Sequence, residues 1–139
     1  MMEHSYSFEK LDVWQKAREY VVFIYHITNR FPDNEKFGLT SQIRRAAISI
    51  TSKIAEGSSR SSLKEQIRYT EIAYGSALET YCQMLSSLDL GFLSIEEFQV
   101  GNERLKEITN KLNALKNSQI KRLNEQQINS PNNQINKQQ

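Results

Sequence analysis

The stretch Ser41–Arg68, SQIRRAAISITSKIAEGSSRSSLKEQIR, decides how the rest of the chain is read. Ile43, Ala47, Ile50 and Ile54 recur at spacings of four, three and four, which places them on one side of a helix. Arg45, Ser49, Ser52 and Glu56 repeat the same spacing on the other side. Gly57 follows the last apolar turn, where a left-handed residue commonly caps a helix. Ser58, Ser59, Ser61 and Ser62 form a polar corner. Ser62 and Glu65 match an S-x-x-E capping box, so the next helix should begin near Leu63. Helix, corner, helix is the joint of an all-α protein.

The same stretch is rich in positive charge. Arg44, Arg45, Lys53, Arg60, Lys64 and Arg68 are opposed only by Glu56 and Glu65. Two readings stand side by side. Guanidinium forks, serine hydroxyls and the free amides of a helix start are groups that hold phosphate, so the corner is a candidate nucleic-acid contact. A solvated face with scattered ion pairs is the plainer alternative. Glu56 falls in the last turn of its helix, at the negative end of the dipole. That position calls for a cation, with Arg45 or Arg44 of this or another chain as candidates; a solvated carboxylate is the alternative.

Outside this segment the composition is ordinary. A chain of 139 residues with net charge +2 fits one domain with a real core. Removing residues 121–139 takes away Lys121, Arg122 and Lys137 against Glu125 and leaves a neutral body. Nucleic-acid binding would therefore have to come from local patches. Cys82 is the single cysteine, which excludes an intrachain disulfide framework and a cysteine-based metal centre. The N-terminus, MMEHSYSFEK, has no apolar signal core, and no segment is long enough to span a bilayer. A cytosolic protein with no membrane partner is expected.

Only Pro32 and Pro131 interrupt the long periodic segments. They predict helices over about 11–30, 38–56, 62–90 and 95–120. In the first, Trp14, Ala17, Val21, Ile24, Tyr25, Thr28 and Phe31 form the inward stripe, with Asp12 as cap and Gln15 three residues on. Phe23 falls off that stripe and is a candidate contact for another chain. The third helix carries Leu63, Ile67, Thr70, Tyr74, Ala77, Leu78, Tyr81, Met84, Leu85 and Leu88 on one face. A second stripe of Tyr69, Ile72, Ala73 and Ser76 has small residues that would admit another helix closely. Such a helix is either central in its domain or shared between subunits. Gly91 reads as a C-terminal cap, and Ser94 with Glu97 as a capping box. Phe98, Gly101, Leu105, Ile108, Leu112 and Leu115 give the fourth helix a narrow seam. Short connections imply antiparallel neighbours, hence an all-α, up-down-up-down four-helix bundle. The Asn- and Gln-rich residues 121–139 are expected to be a disordered tail.

Several of these residues form an ordered set. Leu11…Trp14, Phe31-Pro32 with Glu35, Gly38-Leu39, Gln42-Ile43-Arg44-Arg45-Ala46-Ala47, Ser49-Ile50, Ile54-Ala55-Glu56-Gly57 and Ala73…Gly75-Ser76…Glu79 occur in sequence. Together they resemble the family of 23S rRNA-intervening-sequence proteins over roughly residues 8 to 115. The resemblance implies a four-helix bundle, homo-pentameric assembly in relatives, and no enzymatic activity. A related branch works with a reverse transcriptase and nucleic acid as the accessory protein of diversity-generating retroelements. Ile50-Thr51-Ser52-Lys53 stands where the family often has Ile-Pro-Ala-Asn, so a straighter second helix is expected here.

Catalysis finds no footing. His4 and His26 are the only histidines, and neither a Glu-x-x-His pair on an inward face nor a glycine-rich phosphate loop occurs. No cofactor or metal is expected. Two non-enzymatic functions follow. One is a self-associating bundle that binds structured RNA or DNA through Arg44, Arg45, Lys53, Arg60, Lys64 and Arg68. The other is a protein-interaction scaffold that buries Phe23, Ile48, Tyr69 and Ile72 against its own copies or a partner protein, with Glu56 and Arg45 paired at or near that interface.

Overall fold

The computed structural model describes Glu3 and residues 5–130. They form four α-helices: α1 Asp12–Thr28, α2 Leu39–Ser58, α3 Leu63–Asp89 and α4 Ile95–Ile128. Short 3₁₀ turns, Ser7–Lys10 and Asp33–Glu35, lead into α1 and α2. No strand occurs among the described residues. Each helix packs on the next and α4 closes onto α1. The pairings fix the directions. Arg44 reaches the end of α1 at Thr28, Ser49 meets Ser76, Thr70 meets Gln119, and Asp12 at the start of α1 meets Lys111. All neighbours are antiparallel, as an up-down-up-down bundle requires.

The core runs along the axis through Ala17, Ile24, Ile43, Ile50, Ala77, Met84, Ile108 and Leu112, all but sealed from solvent. Tyr20 crosses it diagonally. Its hydroxyl donates to Thr80 Oγ1 at 2.9 Å and so ties α1 to α3 through the centre. Burial pushes this phenol well above the ordinary tyrosine range, against a smaller opposing effect of the Thr80 bond.

The buried face of α1 is Val13, Ala17, Tyr20, Ile24 and Ile27, rotated from the expected stripe. Trp14 and Val21 are half-buried and Tyr25 is exposed. The aromatics have other work: Phe8 from the first 3₁₀ turn packs edge-on to Trp14, and Tyr25 supports Arg44. In α3 the deepest face lies between the two expected stripes, taking Ala73 and Ser76 from the second and Ala77 and Met84 from the first, while Ile72 of the second stripe is exposed. Ala73, Ser76, Ala77 and Thr80 are buried, while Leu78 is exposed and Tyr74 and Tyr81 are half-buried. Small residues let α2 approach closely, so α3 is central within its own chain.

Helix ends follow their sequence signals in part. Gly91 has φ +79, and the Gly91 and Phe92 amides bond back to Leu88 and Ser87, a Schellman cap on α3. Ser94 and Glu97 exchange both capping-box bonds at the start of α4. Asp12 is no cap. Leu11 holds that position, and Asp12 instead pairs with Lys111 at 2.5 Å. Gly57 is no cap either. It lies inside α2 and is buried where α3 crosses: a Cβ there would fall 2.7 Å from Tyr69 Cβ. Its glycine serves close approach and not a left-handed turn.

The fourth helix does not end near residue 120. It continues to Ile128, past the level where α1 begins, leaning on α3. Gln119 is buried and accepts from Thr70, and Arg122 donates to Gln66. Polar contacts hold this extension, which is why apolar periodicity did not extend the helix there. Residues 131–139 of the expected tail lie outside the described residues.

Candidate functional site: the corner and outer face of the second helix

The six basic residues of the sequence reading do not form one patch. Ser49 is level with Ser76 and Gly57 with Tyr69, so Arg45 and Arg68 stand near opposite ends of the α2–α3 pair, about 18 Å apart along the axis at 1.5 Å per residue.

Arg44 is consumed within the fold. Its Nε donates to Thr28 Oγ1 at 2.8 Å and its Nη2 to Asn29 Oδ1 at 3.1 Å, with the guanidinium 4.4 Å above the Tyr25 ring. A cation at the C-terminus of α1 also meets the negative end of that helix dipole. Arg44 therefore staples α1 to α2 and is not presented to a ligand.

Arg60 and Lys53 are gathered on Tyr69. The Arg60 guanidinium lies 4.8 Å from the ring centroid, and its Nη2 donates to the Tyr69 hydroxyl at 2.9 Å. Lys53 Nζ lies 5.8 Å from the same centroid and 3.2 Å from Glu56 Oε2. Lys53 is thus the cation that Glu56 needs, in place of the expected Arg45 or Arg44. Tyr69 is half-buried beneath these cations.

Arg45, Lys64 and Arg68 remain. All three are exposed, and none has an ion pair or hydrogen bond among the described residues. Lys64 and Arg68 are one turn apart on the first turns of α3, beside the Ser62 cap, whose Oγ accepts from Glu65 N.

The apolar candidates also divide. Phe23 is half-buried and packs within its own chain. It stacks on Tyr20, lies under Arg104 at 5.3 Å and packs its ring against Gly101 of α4. Ile48 is 40% and Ile72 37% exposed. Ile48 follows Arg44 by one turn and so lies on the α1-facing flank of α2. Ile72 precedes Ser76 by one turn and so borders the α2–α3 groove. Arg45 lies on the outer surface of α2, three residues before Ile48, and Ile72 falls about 12 Å from Arg45 along the axis in the same register. The sequence signalled this arrangement only through spacing; the capture of Arg44 and Arg60 depends on Thr28 and Tyr69, which belong to other helices.

Among the described residues no group of three metal-ligating side chains occurs, and no helix is long and apolar enough to cross a membrane.

Comparison with known proteins agrees with this architecture. No curated protein matches the chain. A crystal structure of a protein of unknown function from the S23 ribosomal protein family, from Bacteroides thetaiotaomicron, superposes with a TM-score of 0.70 at 24% identity, covering 76% of this chain and 95% of that one. At that identity the likeness speaks for the fold. The model of the 23S rRNA-intervening sequence protein family matches residues 9–114, from the 3₁₀ turn before α1 well into α4. With that match spanning most of the bundle, the chain belongs to the 23S rRNA-intervening sequence protein family.

Proposed function

We propose that this protein is a non-enzymatic, self-associating bundle whose copies meet through the outer face of α2. One observation carries the reading: two isoleucines, Ile48 on α2 and Ile72 on α3, are exposed, and Arg45, on the turn of α2 before Ile48, is an exposed cation with no partner of its own among the described residues. Exposed apolar side chains with a free cation beside them suit burial against an apolar surface that carries a carboxylate. The pentamer implied by the family resemblance is the expected stoichiometry.

Nucleic-acid contact is the second part of the proposal, and Arg45, Lys64 and Arg68 are the residues left to make it. Three cations on one copy bind phosphate weakly, but an assembly repeats them and gains avidity. The capture of Arg44, Lys53 and Arg60 inside the chain favours the plainer alternative, a scaffold with no nucleic-acid role.

One preparation tests both parts. The purified protein is sized by sedimentation velocity, its absorbance at 260 nm is read, and its affinity for structured RNA is followed against salt. An assembly that binds RNA with a steep salt dependence supports the whole proposal. An assembly free of nucleic acid, with salt-independent or absent binding, reduces it to the scaffold. A monomer at micromolar concentration overturns it.

A further inference from the structure

The bundle is open where α4 outruns α1. A cavity of about 230 Å³ lies there, walled by the apolar side chains of Leu11, Ile54 and Leu115 and by the polar Gln66, Gln119 and Arg122. An outer bay of about 580 Å³ adjoins it and shares Gln66 and Arg122, so these two side chains form the rim between bay and cavity.

Gln119 is the unusual group. It is 6% exposed, at a position where the α4 seam would otherwise take an apolar residue. Its Oε1 accepts from Thr70 Oγ1 at 2.9 Å. Its Nε2 has no partner among the described residues. Gln66, by contrast, is engaged at both ends of its amide: Nε2 donates one N–H to the Arg60 carbonyl at 2.8 Å and Oε1 accepts from Arg122 Nη2 at 3.3 Å. Thr70 has a single proton and a second acceptor in the Gln66 carbonyl, so the Gln119 amide can turn; in either orientation an N–H is left for the cavity. The Gln119 Nε2 is open to the cavity, so an acceptor bound there would take the place of water on it.

The chemistry of the walls narrows the class. The Gln119 amide and the Arg122 guanidinium bring free polar hydrogens, with one N–H of Gln66 beside them, and no carboxylate lines the cavity; Glu125 lines only the outer bay. Leu11, Ile54 and Leu115 supply an aliphatic side, and Gly57, Ser58, Gln66 and Thr70 complete the wall. A dry cavity of about 150 Å³ accepts benzene, with its six heavy atoms, so this volume suits about nine. We propose that the cavity binds a short aliphatic monocarboxylate of about four to six carbons, with its head on Gln119 Nε2 and Arg122 and its tail against Leu11, Ile54 and Leu115.

The test is a calorimetric titration of the full chain with hexanoate, with acetate and hexan-1-ol as head-only and tail-only controls. NMR of the side-chain amides runs in parallel. Hexanoate should saturate one site per chain, bind at least tenfold tighter than either control, and shift the Gln119 side-chain amide. Gln119→Leu and Arg122→Met should each weaken it about fivefold or more while melting normally. Arg122 is exposed, so its variant carries the test if Gln119→Leu does not fold. Hexanoate binding no tighter than acetate or hexan-1-ol overturns the proposal, as does undiminished binding in the folded variants.

Discussion

The seam between α2 and α3 and the far end of α4 solve the same packing problem in opposite ways. Along the seam, Ala46, Ala73, Ser76 and Ala77 are buried, and Gly57 lets Tyr69 close to van der Waals contact. Backbone approaches backbone there, and only at its Gly57 end does the seam border the cavity. At the far end α4 has α3 beside it but no α1, and Gln119, Thr70, Gln66 and Arg122 hold it by hydrogen bonds around a cavity. Small residues make contact that any added atom disrupts. Polar residues spaced around a void tolerate change and leave room for a guest. A bundle can thus be rigid on one side and adaptable on another without any change of secondary structure.

Truncation should separate the two regions most strongly. Ile50 is fully buried beside the seam, so Ile50→Ala is expected to cost about 2–5 kcal/mol in urea denaturation. Leu115 is half-buried at the open end, and Leu115→Ala should cost roughly 1–2 kcal/mol, since the cavity beside it already exists. Equal losses would contradict the contrast.

Addition should separate them next. Gly57→Ala improves helix propensity by about 1 kcal/mol, yet its Cβ would meet Tyr69 Cβ at 2.7 Å. The clash should win, for a net loss of about 1–3 kcal/mol in the same assay. A variant as stable as the parent would mean that α3 can move away from α2.

At the open end, Gln119→Leu should change stability by less than about 1 kcal/mol in the absence of ligand. Thr70 retains the Gln66 carbonyl as acceptor, so no donor is orphaned. A loss near that of Ile50→Ala would make the Gln119 bond structural in the same sense as the core.

The smallest effect concerns pH. The Lys111 ammonium bonded to Asp12 holds that carboxyl below its ordinary value, and the same bond raises Lys111. A depressed carboxyl contributes stability above its unfolded pKa and loses it as pH falls through the lower folded value. Asp12→Asn should therefore flatten a slight acid limb below about pH 4 in thermal melts. The pair is exposed, so a large acid effect would point to another group.

What was legible in the sequence divides along the same line. Large apolar residues at helical spacing and the boxes at Ser62 and Ser94 locate the helices, because these signals are local. The face of α3 that α2 covers was harder to rank, since Ala73, Ser76 and Thr80 carry little hydrophobicity and owe their burial to the approach of another helix. Gly57 reads like a cap because a glycine after an apolar turn usually is one; only the position of Tyr69 reveals its use. The extension past residue 120 was hidden because Gln119 fills a core position with an amide. Among the candidate site residues, Arg44 and Arg45 are adjacent and chemically identical, yet one is bound to Thr28 and the other faces water. That difference is a property of the fold.

The central claim is that the outer face of α2 joins copies of this chain. Sedimentation velocity of the wild type beside Ile48→Glu and Ile72→Glu at micromolar concentration tests it directly. The account predicts a discrete assembly that is a multiple of 16.2 kDa, and folded variants that sediment as single chains. A wild type at 16.2 kDa, or variants that assemble unchanged, would contradict it.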